Sequence, residues 1–264
     1  MKRIVVCLKQ VPSTASVGFD PETNNLDRSG LVFMTNPADG FALEAALAIG
    51  ERTGCEVAAL TMGRAEAASV LREAAECGAT SLWQVTDPAF VGSDSYATAY
   101  VLSRAIRVIG GADLVICGRR AIDGETGQTG PELAAMLAIP SVTNLVGIEL
   151  GAEGRLVCRR LREGWLESLD LRLPALVTVC EGMPRLRPPS IFAMRRSRTV
   201  EIRRLDSGAL GIDPGQAGAA GSFTRVDRLF QPPSRSRSCE LVYGELPGAV
   251  RACDAIARMP GLRG

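Results

Sequence analysis

Short β-branched runs alternate with helical stretches through the first half of the chain. Arg3–Lys9 (RIVVCLK) reads as a buried strand. Thr35-Asn36-Pro37 then reads as a helix start, a polar cap followed by Pro at the first helical position. Leu43 and Leu47 lie one turn apart on the apolar face of that helix, and Gly54 is its expected stop. Glu56–Met62 (EVAALTM) predicts a second strand, Ala65–Cys77 a second helix ended by Gly78, and Ser81–Val85 a third strand. Ser93 is the expected cap of a helix through Ile109, with Ala97, Val101, Ala105 and Val108 along one stripe. Asp113–Cys117 (DLVIC) predicts a fourth strand, followed by a loop and a helix from Pro131 to about Leu137. Successive β–α units of this kind predict an α/β fold, a mostly parallel doubly wound sheet with helices on both faces.

The pattern changes after Pro140. Ser141–Leu150, Arg155–Leu161, Leu166–Leu173 and Ala175–Cys180 are short strand patterns separated by Gly or Pro, and they are expected as antiparallel additions to the same sheet. From Pro184 the chain becomes extended and basic (PRLRPPSIFAMRRSR). Ser207–Gly221, rich in Gly and Ala, reads as a linker, Ser234–Ser238 (SRSRS) as an exposed run, and Pro247–Met259 as a last short helix. The expected division is therefore an α/β domain over residues 1–183, followed by an extended partner-binding segment and C-terminal arm over 184–264. An arm that closes no core of its own packs on something else.

Composition narrows the chemistry. Lys+Arg total 30 against 29 Asp+Glu, and a formal charge of +1 argues against nucleic acid as a partner. The 264 residues contain no histidine, which excludes Ser-His-Asp and Cys-His catalysis and any His-containing metal site. The eight cysteines form no C-x-x-C pair and read as small buried residues in a reducing compartment. No apolar stretch approaches the roughly 18–20 residues of a membrane span, and Ile4–Leu8 is too short for a secretory signal, so the expected setting is the cytoplasm with no membrane insertion. No metal site and no catalytic side chain is expected.

The segment after the fourth strand carries the candidate chemistry. Neither GxGxxG nor GxxxxGK[ST] occurs, so both standard phosphate loops are missing. In Gly118–Glu132 (GRRAIDGETGQTGPE), Gly124, Gly127 and Gly130 recur every three residues. This loop leaves the C-terminal end of a parallel strand and enters a helix N-terminus, the edge and the polarity at which α/β sheets bind phosphate-bearing ligands. Thr126, Thr129 and Gln128 add polar donors. Asp123 and Glu125 would repel phosphate, so they are expected to turn away or to meet ribose hydroxyls or backbone. A glycine-rich β–α connection without a ligand has the same spacing. Cys7, Asn36 and Met62 end or follow other strands on this edge; each has a plain structural reading, and together they could ring one adenine pocket.

These residues bring out a resemblance. The chain resembles the β subunit of electron transfer flavoproteins in Arg3–Pro12 (RIVVCLKQVP), Asn36–Leu47 (NPADGFALEAAL), Thr61–Arg64 (TMGR), Cys77–Thr80 (CGAT) and Gly92–Leu102 (GSDSYATAYVL). The likeness continues through Asp113–Pro140 with its CGRRAIDGETGQTGPELA core, Arg160–Glu167 (RLREGWLE), Leu173–Thr178 (LPALVT) and Pro184-Arg185, and covers roughly residues 1–205. It implies a nucleotide-binding, adenine nucleotide alpha hydrolase-like fold and one half of a heterodimer whose α subunit holds most of a shared redox FAD. The complex would carry electrons from dehydrogenases to a quinone oxidoreductase or another acceptor, in some branches by bifurcation. This subunit would hold AMP or a second FAD. The implied cofactor-binding residues are Cys7, Asn36, Met62, Asp123, Gly124, Thr126, Gly127, Gln128 and Thr129, with backbone N–H groups of Gly127, Gln128 and Thr129 on phosphate. The stretch Asp123-Gly124-Glu125-Thr126 with Pro131 resembles the branch that binds a second FAD.

The chain also departs from the family. Where members carry Leu-Pro after Pro-Arg, a leucine that anchors partner dehydrogenases, this chain has Arg185-Leu186-Arg187-Pro188-Pro189-Ser190, with Pro188 at the leucine position. The paired glycines near Glu163 become Gly164-Trp165. Leu186, Pro188 and Ile191 are the expected partner-binding residues. The alternative to an electron carrier is a freestanding adenine-nucleotide-binding sensor of the same α/β type.

Overall fold

Alternation along the first strand decides how the molecule is layered. In β1 (Arg3–Leu8), Ile4, Val6 and Leu8 point to one face and Val5 and Cys7 to the other. Both faces are covered, so the strand has no solvent side and reads as an unbroken apolar run. The computed structural model describes residues 1–13, 18–20, 25–27, 32–151, 154–225, 227 and 246–257. Beyond β1 come three-residue strands β2 (Gln10–Pro12), β3 (Gly18–Asp20), β4 (Asn25–Asp27) and β5 (Phe33–Thr35), which pair β2 with β5 and β3 with β4. Then follow α1 (Pro37–Thr53), β6 (Glu56–Met62), α2 (Ala68–Cys77), β7 (Ser81–Val85), α3 (Ser95–Val108), β8 (Leu114–Gly118) and α4 (Thr129–Leu137). The chain continues through β9 (Ser141–Leu150), β10 (Arg155–Arg162), β11 (Trp165–Arg172), β12 (Ala175–Val179), α5 (Ile191–Ser197) and β13 (Ile202–Leu205).

These strands form a nine-stranded sheet in the order β11-β10-β9-β12-β8-β1-β6-β7-β13. Every neighbouring pair from β9 to β13 is parallel, while β9–β10 and β10–β11 are antiparallel. Helices α1 and α2 bury Leu43, Leu47, Val70 and Leu71 against one face, and α3 and α4 bury Val101, Ala105 and Leu133 against the other. The fold is therefore the doubly wound α/β sheet with antiparallel additions that the periodicity predicts. From β1 the chain builds outward through β6 and β7, then returns to place β8 on β1's opposite flank. That reversal opens a crevice at the carboxyl ends of β1, β6 and β8.

Local signals set several boundaries. Gly54 closes α1 in the left-handed conformation (φ 69°), its N–H donating to the Gly50 carbonyl. Other expectations are corrected. The cap of α3 is Asp94, which accepts from Ala97 N–H at 2.9 Å, rather than Ser93; the Ser93 hydroxyl donates to Phe90 O. Val108 stays 46% exposed, off the buried stripe. The strands expected as antiparallel additions divide into two kinds. β9 and β12 are parallel, and β12, buried at every position, lies between β9 and β8 inside the sheet. Its sequence ALVTV is the continuous apolar run of a strand covered on both faces.

The segment after Pro184 is not uniformly extended. Ser190 caps α5 by accepting from Ala193 N–H at 3.1 Å, and β13 then extends the sheet beside β7. Ser207–Gly221, expected as a linker, forms two short helices, α6 (Ser207–Leu210) and α7 (Gly218–Gly221), around a turn at Pro214–Gln216. Asp206 caps α6 and Asp213 caps the turn, while Leu210 and Ala217 are buried. Compact structure thus runs past the expected division at 183/184; the chain's two units are Met1–Asp227 and Arg228–Gly264. In the second unit the described residues form α8 (Leu246–Ala257), close to the helix expected from Pro247. The run Ser234–Ser238 lies outside the described residues.

Gly218 adopts φ +60°, and a Cβ there would stand 2.2 Å from the Ala89 carbonyl oxygen. Around Gly124 nothing lies within 4 Å of a Cβ. Gly218→Ala is expected to destabilise the protein by about 2 kcal/mol or more through left-handed strain and overpacking, and Gly124→Ala by less than about 0.5 kcal/mol. Denaturant unfolding of both variants beside the parent chain measures the difference.

Candidate functional site

A cavity of about 880 Å³ occupies the crevice where the strand order reverses. Its floor is apolar: Leu60, Met62, Val85, Phe90 and Leu102, with the Cys7 thiol. Its rim is polar and includes Arg64, Arg119 and Arg120. Cys7 and Cys117 stand directly opposite one another on β1 and β8, both toward the cavity. A hydrogen bond that its S–H gives to Cys7, together with burial, holds the Cys117 thiol protonated, well above the usual thiol range. All seven cysteines within the described residues are free.

One wall is built from the first turn of α1. Pro37 presets that turn, but Asn36 does not cap it. Its buried amide, 1% exposed, is drawn across the crevice instead. Nδ2 donates to Asp39 Oδ1 at 2.9 Å and to Arg120 O at 3.0 Å, while Oδ1 accepts from Ile122 N–H at 3.2 Å. Asn36 therefore staples the loop after β8 to the start of α1. Beside it Asp39 accepts from Lys9 N–H at 2.7 Å, which ties the same turn to the end of β1. Burial raises the Asp39 carboxyl to about 7, against the opposing pull of its hydrogen bonds. The turn reaches β8 only because Gly118 has no side chain: a Cβ would lie 2.3 Å from Asp39 Oδ1 and 2.7 Å from Ala38 C.

The opposite wall is the loop from Arg119 into α4. Glu125 (φ 53°) and Gly127 (φ 64°) both take left-handed backbone, which curls the loop before α4 begins at Thr129. Gln128 occupies the cap position without a capping side chain, so the first-turn N–H groups of Thr129 and Gly130 are open toward the cavity. Those groups and the helix dipole favour an anion. The loop's own carboxylates are engaged elsewhere. Asp123 pairs with Lys9 Nζ at 2.7 Å and Glu125 with Arg120 at 3.7 Å. A Cβ at Gly130 would stand 2.5 Å from Thr178 Cγ2, which seats α4 tightly against β12.

Of the residues read from the sequence, Cys7, Asn36, Met62, Gly124, Thr126, Gly127 and Thr129 line the cavity. Asp123 and Gln128 do not: Asp123 faces Lys9, and Gln128 Oε1 accepts from Ser95 Oγ at 3.3 Å. Asp39, Gly118 and the wall from Thr86 to Ser95 were missed. Asp39 reads as an ordinary first-turn acid in the sequence, and only the packing of α1 on β8 makes it part of the site. The partner-binding residues separate too. Leu186 packs against the core beside α1, held there by Arg187, which pairs with Glu44 at 2.7 Å and with Glu51. Pro188 is exposed, and Ile191 is 82% and Phe192 87% exposed. No helix among the described residues is long and apolar enough to cross a membrane, and no group of metal-binding side chains is found there.

A cavity with an apolar floor, an open helix N-terminus and arginines at its rim thus sits at the carboxyl edge of a doubly wound α/β sheet. Residues 23–210 match the Electron transfer flavoprotein domain, and the chain belongs to that family. It is similar to Electron transfer flavoprotein subunit beta of Thermoanaerobacterium thermosaccharolyticum, 38% identical over 249 residues that cover 94% of this chain and 95% of the relative. It is also similar to Protein FixA of Bradyrhizobium diazoefficiens, 37% identical over 259 residues covering 96% and 90%. Caffeyl-CoA reductase-Etf complex subunit CarD of Acetobacterium woodii is 37% identical over 243 residues, 92% of each chain. The family associates with flavin, and the chain's role is electron transfer.

Two substitutions test the walls. Gly118→Ala is expected to push α1's first turn off β8, and Gly127→Val to force a β-branched residue into left-handed backbone beside Arg119 O. Each should lower adenine-nucleotide retention about tenfold or more, an effect of roughly 1.4 kcal/mol, measured by nucleotide content after gel filtration. Retention equal to the parent's would place the ligand elsewhere.

Proposed function

We propose that the chain is the β subunit of a two-subunit electron transfer flavoprotein and that its own cavity holds an adenine nucleotide, a second FAD rather than AMP. The observation that carries the nucleotide reading is one cavity joining the apolar floor at Leu60, Met62, Val85 and Phe90 to the open first turn of α4. The floor suits a flat ring, and the Thr129 and Gly130 N–H groups suit phosphate. In this reading Cys7, Asn36 and Met62 surround the adenine. Gly124 and Thr126 frame the ribose side, and Gly127, Thr129 and Gly130 offer backbone N–H groups to phosphate, while Asp123 and Gln128, bonded to Lys9 and Ser95, take no part. Size favours the longer ligand: about 880 Å³ lies near the upper end of the roughly 300–1,000 Å³ usual for ligand sites. Arg119 and Arg120 at the rim balance a pyrophosphate better than a single phosphate requires.

A bound flavin supplies the redox chemistry. The chain's own residues bind and orient the nucleotide, keep water from the apolar floor and balance its charge. The α subunit holds most of the shared redox FAD, and residues 184–264 contribute to that association. The carrier works in the cytoplasm, taking electrons from a dehydrogenase and giving them to a quinone oxidoreductase or another acceptor. A second FAD in this subunit makes electron bifurcation the favoured mode.

Acid extraction of the purified two-subunit complex, followed by chromatography, tests the cofactor. Two FAD and no AMP per complex is the expected result; one FAD with one AMP would overturn the second flavin. Dehydrogenase docking is tested at Ile191 and Phe192 rather than Leu186, whose half-buried side chain supports the core. Ile191→Asp with Phe192→Asp is expected to lower kcat/KM for the cognate dehydrogenase about tenfold or more with flavin content unchanged. An unchanged value would move the docking surface elsewhere.

A further inference from the structure

Asp39 is a buried acid that nucleotide binding by itself leaves without a role. It lines the cavity and is 6% exposed. Its Oδ1 accepts from Asn36 Nδ2 at 2.9 Å and its Oδ2 from Lys9 N–H at 2.7 Å, with Gly118 N–H as a further donor. All three donors are neutral. The Lys9 ammonium is turned to Asp123 at 2.7 Å, and no arginine or lysine is salt-bridged to Asp39 among the described residues. A carboxylate without a cation thus shares the crevice with an opening suited to phosphate.

Resting on the nucleotide reading above, we propose that Asp39 takes up a proton from solvent as a phosphate-bearing nucleotide enters the cavity, so that ligand and proton bind together. An anion brought into this low-dielectric crevice opposes a second negative charge on its wall. The proton has a place to go, because Oδ2, which accepts from Lys9 N–H, is a carboxylate oxygen with a second lone pair. The bonds from Asn36 to Oδ1 and to the loop survive that protonation, so the staple holding the phosphate loop is retained. Burial already outweighs the three donors and brings the acid to about 7, so a modest added negative potential completes the change.

Other charged groups around Asp39 do not replace the proton. From β1 only Lys9 acts on it, and its ammonium is committed to Asp123. From β8 comes Cys117, whose thiol stays protonated, with Cys7 beside it on β1. Arg119 and Arg120 lie at the rim, where Arg120 pairs with Glu125 at 3.7 Å. Arg64, Glu66, Asp87 and Asp94 belong to the far wall.

The test is calorimetric titration of AMP into the two-subunit complex, after exchange of its bound nucleotide, in pairs of buffers of different ionisation enthalpy. The sign follows from linkage. Free Asp39 is ionised above about 7, and the bound form holds its proton to higher pH. Affinity should therefore rise by up to about tenfold for each unit of falling pH on the alkaline side of about 7, then level off below about 7. AMP stays a dianion through that window, since its second pKa is about 6. The paired buffers should report net proton uptake, and Asp39→Asn should bind AMP with no such dependence. Proton-neutral, pH-independent binding by the parent complex would overturn the coupling and leave the nucleotide site standing. A pH dependence that persists in Asp39→Asn would overturn the assignment to Asp39. Absence of binding by AMP and by FAD at every pH would overturn the nucleotide reading and the coupling with it. Should Asp39→Asn not fold, the parent's buffer comparison still decides whether a proton is taken up.

Discussion

The close approach of α1 to the end of β8 is the contact on which the site depends. Glycine at 118 lets the first turn of α1 come within van der Waals distance of the strand, where any Cβ would strike Asp39 and Ala38. That approach buries Asn36 and Asp39 together. Once buried, their polar atoms require partners, since an unmet hydrogen-bonding group away from water costs about 1–3 kcal/mol. They find them in Lys9 at the end of β1 and in Arg120 and Ile122 of the following loop. Three separate segments are thereby held in one arrangement by two side chains. The cavity's shape is a consequence of that satisfaction of polar groups as much as of apolar packing.

The rest of the pocket is assembled from the far side of the sheet. The wall from Thr86 to Ser95 is held by residues more than a hundred positions away. Asp87 accepts from the Ser207 hydroxyl at 2.6 Å, Ser93 Oγ accepts from Gly218 N–H at 3.1 Å, and Asp94 accepts from Thr224 N–H at 3.0 Å. Residues 206–224 thus act as a strap on the cavity wall. Ser207–Gly221, read as a linker, is ordered because Asp206 and Asp213 cap its turns and Gly218 packs against backbone.

Two of the exposed apolar surfaces among the described residues of the first unit stand out. One is Ile191 with Phe192 on α5, next to the arginines at 195, 196 and 198; the other is Leu161, Trp165 and Leu166 at the β10–β11 turn. Within one subunit of an electron carrier, such surfaces are consistent with contacts to other chains.

Much of the architecture was legible from local chemistry. β6 and β7 fall at the predicted residues, and Gly54 and Gly78 end their helices, because strand runs and glycine stops are written in adjacent residues. The loop after β8 was legible for the same reason, as a glycine repeat between a strand and a helix. The sequence determined the class of fold and one wall of the cavity, the loop from β8 into α4. Tertiary structure alone decided that β12 lies in the middle of the sheet, since an apolar five-residue strand carries no mark of its neighbours. It alone made Asn36 a staple in place of a cap, and Asp39 a buried acid in place of a surface one. Those roles depend on which strands flank β1 and on a glycine 79 positions after Asp39, and long-range proximity leaves no periodic signature in the chain.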